Sequence, residues 1–345
     1  MITFHNPFHQ GHAPVHEFFR GERVPCFEKP ARVDYVEDAL RARGHGLMSP
    51  DVDSAPVLSQ VHAPRYLAFL QTAWQHWLAL DPANAGVQPF PSVWPVRTLR
   101  SDLEPENFVA RLGLYSMDNG TPMASGTWAA AKAGADAAAS AATRVAQGAR
   151  AAFCCTRPPG HHAGPDFMGG YCFLNNAAVA AQVLRNQGAQ RVALLDVDYH
   201  HGNGTQSIFY DRADVLFISI HGDPRTEYPF YLGHADETGV GEGAGFNLNL
   251  PLPAGTSATT WFDALESACA RIASQGADAL VVSLGLDTFE GDPISKFALA
   301  SADFTRVGER LARAGLPTVF VLEGGYAAAE LGTNAVNVLD GFEQV

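Results

Sequence analysis

From about residue 128 the chain alternates short apolar, β-branched runs with longer segments of helical period, and this alternation most limits what it can fold into. The runs AAFCCT, RVALLDVD, VLFISIH, FNLNL, ADALVVSLG and TVFVLEGG have the length and composition of buried strands. TWAAAKAGADAAASAATRVAQGA, NNAAVAAQVLRNQG, TTWFDALESACARIASQG and ADFTRVGERLARAG read as helices between them. Strands that are apolar on both faces need cover on both faces. The pattern therefore predicts an α/β fold with a central, mainly parallel sheet and helices on each side.

The first 127 residues are less regular. ARVDYVEDALRARG and APRYLAFLQTAWQHWLAL predict helices, while the stretch from Pro82 to about Gly126 is rich in Pro, Gly and Asn and shows no sustained period. So long a segment inside a compact domain usually carries a function or an interface. No internal repeat, low-complexity tract or linker interrupts the chain, so one domain over residues 1–345 is expected.

Charge narrows the partners. Against 23 Lys and Arg stand 36 Asp and Glu, a formal charge of −13, which repels phosphate backbones and weakly steers cationic small molecules inward. Nucleic acid is not an expected partner. The start of the chain has no basic segment leading into an apolar one, and no apolar run reaches the ~18–20 residues of a bilayer span, so the expected location is the cytoplasm. The odd number of cysteines, five, without a CxxC pair, predicts reduced thiols in the core rather than a disulfide framework.

The polar chemistry collects where the apolar runs stop. After AAFCC comes TRPPGHHAG with His161 and His162; after RVALL comes DVDYHHGNG with Asp196, Asp198 and His200. ALVVS is followed by LGLDTFEGDP with Asp287, and TVFVL by EGGY with Tyr326. In a parallel sheet ligands bind beyond the carboxyl ends of the strands, so four such clusters predict one site. An i, i+2, i+4 spacing on extended backbone would put Asp196, Asp198 and His200 on one face. Joined by Asp287, they offer an Asp/His/Asp set for a divalent metal with an open position for water, as in catalytic zinc sites. Proton transfer and oxyanion stabilisation would then need groups such as His162 and Tyr326. Each cluster taken alone also has a plainer reading: capping aspartates at a strand end, a polar loop, a glycine turn with a packed tyrosine, or a helix cap. Their succession on neighbouring strand ends favours the functional one.

Taken together, RPPGHHA, GGYCFLNNAAVAA, LLDVDYHHGNGTQ, SIHGDP, SLGLDTFEGDP and EGGY resemble the zinc-dependent histone deacetylase superfamily, in the class II-like branch that contains bacterial acetylpolyamine amidohydrolases. The resemblance implies the arginase/deacetylase fold, with a central sheet of eight mainly parallel strands. It implies a metal bound by Asp198, His200 and Asp287: one Zn²⁺ per subunit, with Fe²⁺ as the alternative. His162 would be general base and then general acid toward a metal-held water, His161 its electrostatic neighbour, and Tyr326 the donor to the substrate carbonyl and its oxyanion. Asp196 would partner His161, and Asn203 would partner His162, where many relatives carry Asp; the amide should leave His162 less basic. Asp196, Asp198, His200, Ser219 and Ile220 match a structural K⁺ site. Tyr171 and Tyr231 would flank the substrate's methylene chain, with Gly169 and Gly170 letting the backbone approach.

The resemblance further implies removal of acetyl groups from N-acetylated polyamines. The insertion at about 82–126 is similar to the segment by which such enzymes form homodimers and narrow the entrance. Within it Asp102, Glu104, Glu106 and Asp118 are candidates to meet a distal ammonium, although any of them could equally sit on a solvated acidic loop. Three rivals follow from the same residues. A deacetylase of acetyl-lysine proteins or a broad small-amide deacylase would share the chemistry. A non-catalytic acyl-ligand binder would not need both His162 and Tyr326. An arginase-like two-manganese hydrolase would need more carboxylates and leave Tyr326 idle.

Overall fold

Ten strands and ten α-helices form in chain order, and the computed structural model describes residues 1–345. The strands are β1 Ile2–His5, β2 His16–Phe19, β3 Glu22–Pro25, β4 Leu47–Met48, β5 Ala151–Cys155, β6 Val192–Asp196, β7 Val215–Gly222, β8 Asn247–Leu252, β9 Ala279–Leu284 and β10 Thr318–Leu322. Eight of them make one sheet in the order β4-β1-β5-β10-β9-β6-β7-β8, with every neighbouring pair parallel. The six apolar runs supply six of these strands. The other two, β1 and β4, come from the irregular N-terminal region, whose remaining strands β2 and β3 pair into a separate antiparallel hairpin.

Both faces of the sheet are covered, as apolar strands require. Along β5 the side chains alternate: Ala152 and Cys154 enter one core, while Ala151, Phe153 and Cys155 enter the other. On the first side lie α2 Ala55–Val61, α3 Pro64–Leu80, α4 Phe108–Leu114, α5 Thr127–Ala146, α6 Asn176–Asn186 and part of α7 Asn203–Phe209. On the second lie α1 Ala31–Ala42, α8 Ala258–Gln275, α9 Ser301–Ala312 and α10 Ala328–Glu343. The alanine-rich α5 buries most of its length because small side chains allow close approach: a Cβ on Gly134 would stand 2.6 Å from Thr156 Oγ1. None of the helices is long and apolar enough to cross a membrane.

The segment from 82 to 126 is not wholly irregular. It contains a short 3₁₀ turn at Pro82–Gly86 and the helix α4, which Asn107 caps by accepting from the backbone N–H groups of Val109 and Ala110. Between them Val87, Val93, Val96, Leu99 and Leu103 are exposed.

The strand order decides where the chemistry falls. The loops carrying His161 and His162, Tyr326, Asp287, and Asp198 with His200 follow β5, β10, β9 and β6, four consecutive strands of the sheet. All four run the same way, so all four loops leave the same edge.

Candidate active site

The backbone does not stay extended through Asp196, Asp198 and His200: β6 ends at Asp196. Beyond it the Asp198 N–H donates to Asp196 Oδ1 (3.1 Å) and the His200 N–H to Asp198 Oδ1 (2.9 Å). These short side-chain turns, the capping chemistry that aspartate favours, part Asp196 from Asp198 and His200. Asp196 reaches His161, with Oδ2 2.9 Å from its Nδ1. Asp198 and His200 instead meet Asp287. His200 Nδ1 lies 3.0 Å from Asp287 Oδ2 and 3.3 Å from Asp198 Oδ1.

One donor atom from each of Asp198, His200 and Asp287 falls within 4.8 Å of the others. The far oxygens are committed: Asp198 Oδ2 accepts from the Gly324 N–H (2.9 Å) and Asp287 Oδ1 from the Tyr199 N–H (2.8 Å), which fixes the direction of both carboxylates. Glycines make room for them. A Cβ on Gly285 would lie 2.2 Å from Asp198 Oδ2, and one on Gly324 2.6 Å from the same atom. Two buried carboxylates and an imidazole aimed at one point suit a divalent cation of the zinc type. The electrostatics agree. Burial first, and then the charge on Asp198, push the Asp287 carboxyl up to about 7.

His161 and His162 lie beside this centre with their rings tilted against each other, centroids 4.0 Å apart. Burial works against protonation of His161, but Asp198 and Asp196 outweigh it and raise the imidazole to about 10. His162 faces the opposite balance: burial first, and then the neighbouring His161, hold it well below the usual histidine value. Its Nδ1 is 2.6 Å from the Asn203 carbonyl oxygen, while the Asn203 amide N–H donates to Met117 Sδ at 3.1 Å. With its carbonyl turned to the ring, Asn203 keeps the proton on Nδ1 and leaves Nε2 as a proton acceptor. Gly170, in a left-handed conformation (φ +52°), lies against the ring so closely that a Cβ would stand 2.1 Å from His162 Cδ2.

Tyr326 completes the arrangement. Its backbone N–H donates to Asp292 Oδ2 (2.7 Å), and its ring packs edge-on to Tyr171, centroids 5.7 Å apart. Burial holds the phenol well above its usual value, so it remains a hydrogen-bond donor at any working pH. The loops of Tyr326 and His162 are tied directly, because Glu323 Oε2 accepts from the N–H groups of Gly160 (2.6 Å) and His161 (3.1 Å).

His161, His162, His200 and Tyr326 open into one cleft of about 630 Å³. Its walls correct part of the sequence reading. Tyr171 is a wall residue, held in a left-handed conformation (φ +68°) with its hydroxyl donating to Glu17 Oε1 at 2.8 Å. Tyr231, expected opposite it, stands at the rim, 90% exposed. The ring that faces the histidines is Tyr228, edge-on to His162 at 5.0 Å and 6.2 Å from His200. The acidic candidates shift as well. Glu104 is engaged by Arg111 (2.7 Å) and the Tyr115 hydroxyl (2.5 Å), Asp102 by Arg100, and neither lines the cleft; nor does Glu106, which is exposed. Asp118 does line it, but as a brace: it accepts from the Gly170 N–H (2.7 Å), the Tyr228 hydroxyl (2.6 Å), the Gly120 N–H and the Thr121 hydroxyl. Two cleft carboxylates were missed by sequence reasoning: Glu17, on the β2–β3 hairpin, and Glu227, which pairs with Lys296 (2.5 Å). Ser219 sits in register beside Asp196 across β6 and β7, with Ile220 next along β7.

The histone deacetylase domain family matches residues 26–342. The chain is 53% identical to acetylpolyamine amidohydrolase 2 of Pseudomonas aeruginosa over 346 aligned positions, covering 100% of this chain and 99% of the relative. It is 46% identical to the acetylpolyamine amidohydrolase of Mycoplana ramosa, covering 94% of each. Among solved structures, an acetylpolyamine aminohydrolase from Burkholderia pseudomallei superposes with a TM-score of 0.93 at 40% identity, covering 99% of this chain and 98% of that one.

Proposed function

The chain belongs to the histone deacetylase family, and from that premise we propose that it hydrolyses the acetyl amide of N-acetylated polyamines. The observation that carries the proposal is the convergence of Asp198, His200 and Asp287 on one point beside His162 and Tyr326, at the floor of a single cleft.

We assign Asp198, His200 and Asp287 to one Zn²⁺ per subunit, with Fe²⁺ as the alternative. When bound, such an ion supplies Lewis-acid charge to the amide carbonyl and to the attacking water. The protein's own groups do the rest. His162 Nε2 accepts the water proton as the new C–O bond forms, and hands it to the amine nitrogen as the C–N bond breaks. The Tyr326 hydroxyl donates to the carbonyl oxygen while that oxygen carries charge. His161, bonded to Asp196 and set against the His162 ring, disfavours lasting protonation of His162, so the proton returns to the leaving amine. The products are acetate and the free amine. Asp196, Asp198, His200, Ser219 and Ile220 are assigned to a structural K⁺ from the family resemblance, supported by the register that sets Ser219 beside Asp196.

Tyr171 and Tyr228, with Gly170 behind, leave a slot suited to a linear methylene chain. Glu17, whose Oε1 accepts one bond from the Tyr171 hydroxyl (2.8 Å) and Oε2 one from the Phe27 N–H (3.1 Å), against two bonds on each oxygen of Asp118, is the group we assign to a substrate ammonium. Burial raises its carboxyl to about 7, so it ionises over the range in which a polyamine stays cationic. For a cationic acetylpolyamine kcat/KM should therefore fall as pH drops below about 7 and Glu17 takes up its proton, more steeply than for a neutral acetamide of the same length. Glu17→Gln should abolish that difference; parallel profiles for the two substrates in the native enzyme would remove Glu17 from substrate binding.

The exposed Val93, Val96, Leu99 and Leu103 on the 82–126 insertion support a homodimer formed through that segment, which would narrow the cleft entrance. Leu99→Asp combined with Leu103→Asp should shift the sedimentation coefficient from dimer to monomer; a monomeric native protein would refute the assembly. Five unpaired, buried cysteines are consistent with the cytoplasm. The function is tested by kcat/KM of the zinc-loaded protein on an N-acetylated polyamine and on an acetyl-lysine protein. A strong preference for the polyamine is expected. Equal or greater activity on the protein would make this a lysine deacetylase with the same chemistry.

A further inference from the structure

Glu28 lies outside every motif that carries the chemistry, precedes α1, and is almost wholly buried, yet it joins two arginines that serve the two halves of the active site. Arg32, in the first turn of α1, donates from Nε to the Gly325 carbonyl (2.6 Å) and from Nη2 to the Glu323 carbonyl (2.6 Å), the backbone that leads into Tyr326. Its guanidinium also lies 4.8 Å from the Tyr326 ring centroid. Arg157 stands on the loop that leads from β5 into His161 and His162, and donates to the carbonyls of His9 and His12. One oxygen of Glu28 accepts from both: Oε1 is 3.0 Å from Arg32 Nη1 and 2.7 Å from Arg157 Nε, while Oε2 takes a second bond from Arg157.

We propose that Glu28 is a positioning residue for the amide hydrolysis, a buried clamp that sets the Tyr326 loop against the His162 loop through Arg32 and Arg157. Neither arginine alone can do this, because each reaches only one of the loops. The two guanidiniums share a single carboxylate oxygen, so the position of either fixes the other. The remaining neighbour, His12, is held neutral: burial first, and then Arg157, lower it to about 3. Glu28 is thus the charge that offsets the pair. Burial alone would raise its carboxyl, but Arg157 and Arg32 together hold it at about 2, so the clamp stays ionised across the working range. Removing it leaves two cations side by side in the interior and loosens the Tyr326 loop against the His162 loop, which then keep only the Glu323 carboxylate as their direct tie.

The proposal rests on Tyr326 acting as donor to the carbonyl oxygen, and its test separates the two. Glu28→Gln, Tyr326→Phe and the double variant are compared for kcat, KM and bound zinc, well below each melting temperature. Glu28→Gln should lower kcat by roughly 10-fold or more, with KM within about 3-fold and zinc retained, since small misplacements of reacting groups are costly. In the Tyr326→Phe background the same change should cost less than about 3-fold, because the group it places is already gone. A purely structural Glu28 predicts additive losses, and additivity overturns the proposal while leaving Tyr326 its role. Full turnover by Tyr326→Phe alone would bring down both. If Glu28→Gln does not fold, Glu28→Asp, which keeps the charge but shortens the reach, carries the same cycle. Failure of both to fold would make Glu28 a folding determinant and overturn its positioning role.

Discussion

Asp287→Asn is expected to empty the metal site and abolish deacetylation at once. The substitution keeps the shape of the side chain and, through its carbonyl oxygen, the bond from the Tyr199 N–H at Asp287 Oδ1. What it removes is the charge at Oδ2, the atom 3.0 Å from His200 Nδ1 and aimed at the shared point. A neutral amide is a poor ligand for a divalent ion. The loss of metal affinity should exceed the roughly 10–100-fold that follows loss of an outer hydrogen-bond partner of a ligand. His200→Ala and Asp198→Ala should behave alike, although Asp198→Ala also frees the Gly324 N–H that its Oδ2 accepts and should cost stability besides. Equilibrium dialysis against buffered zinc, with activity measured on the same samples, checks this. Tight zinc retained by all three variants would refute the assigned ligands, and zinc lost with activity intact would refute a metal-dependent reaction.

How much of this was legible beforehand depends on the kind of signal each residue carries. His162, Asp198, Asp287 and Tyr326 could be found because each follows an apolar run that can only be a buried strand, and parallel strands bring their ends together whatever their order in sequence. The order itself, β5-β10-β9-β6, was not readable from the runs. β1 has four residues and β4 two, too short for any period to show. The cleft wall was harder still. Tyr228 and Tyr231 stand three residues apart in one irregular loop, and only the packed structure decides that the first faces His162 and the second faces solvent. Asp118 has a composition suited to binding a cation, yet its oxygens are taken up by the Gly170 and Gly120 N–H groups and the Tyr228 and Thr121 hydroxyls. Glu17 and Glu28 lie in a region without period, and nothing in their neighbours marks them. Carboxylates acquire such roles by what is buried around them, which is tertiary information.

Tyr326→Phe should keep its zinc and lose roughly 10²–10³-fold in kcat, the usual cost of one oxyanion donor. The prediction is sharp because the ring has its own supports, apart from the hydroxyl. Tyr171 packs against it, the Arg32 guanidinium lies near its face, and Asp292 accepts from its backbone N–H, so phenylalanine should occupy the same place. KM should change little, since the hydroxyl is asked to bind charge that develops only as water adds to the carbonyl. His162→Ala makes the complementary case. It leaves the donor set of Asp198, His200 and Asp287 intact but removes the acceptor that Asn203 orients, and general acid–base catalysis is typically worth about 10²–10⁴-fold. If both residues act in one transition state, the double variant should fall only modestly below the slower single variant, because without His162 to take the water proton little charge develops on the carbonyl oxygen for Tyr326 to stabilise. Steady-state rates of the two single variants and the double variant on one acetylpolyamine give the answer. Fully multiplicative losses would mean that Tyr326 and His162 contribute independently, and near-normal turnover of Tyr326→Phe would take the tyrosine out of the chemistry.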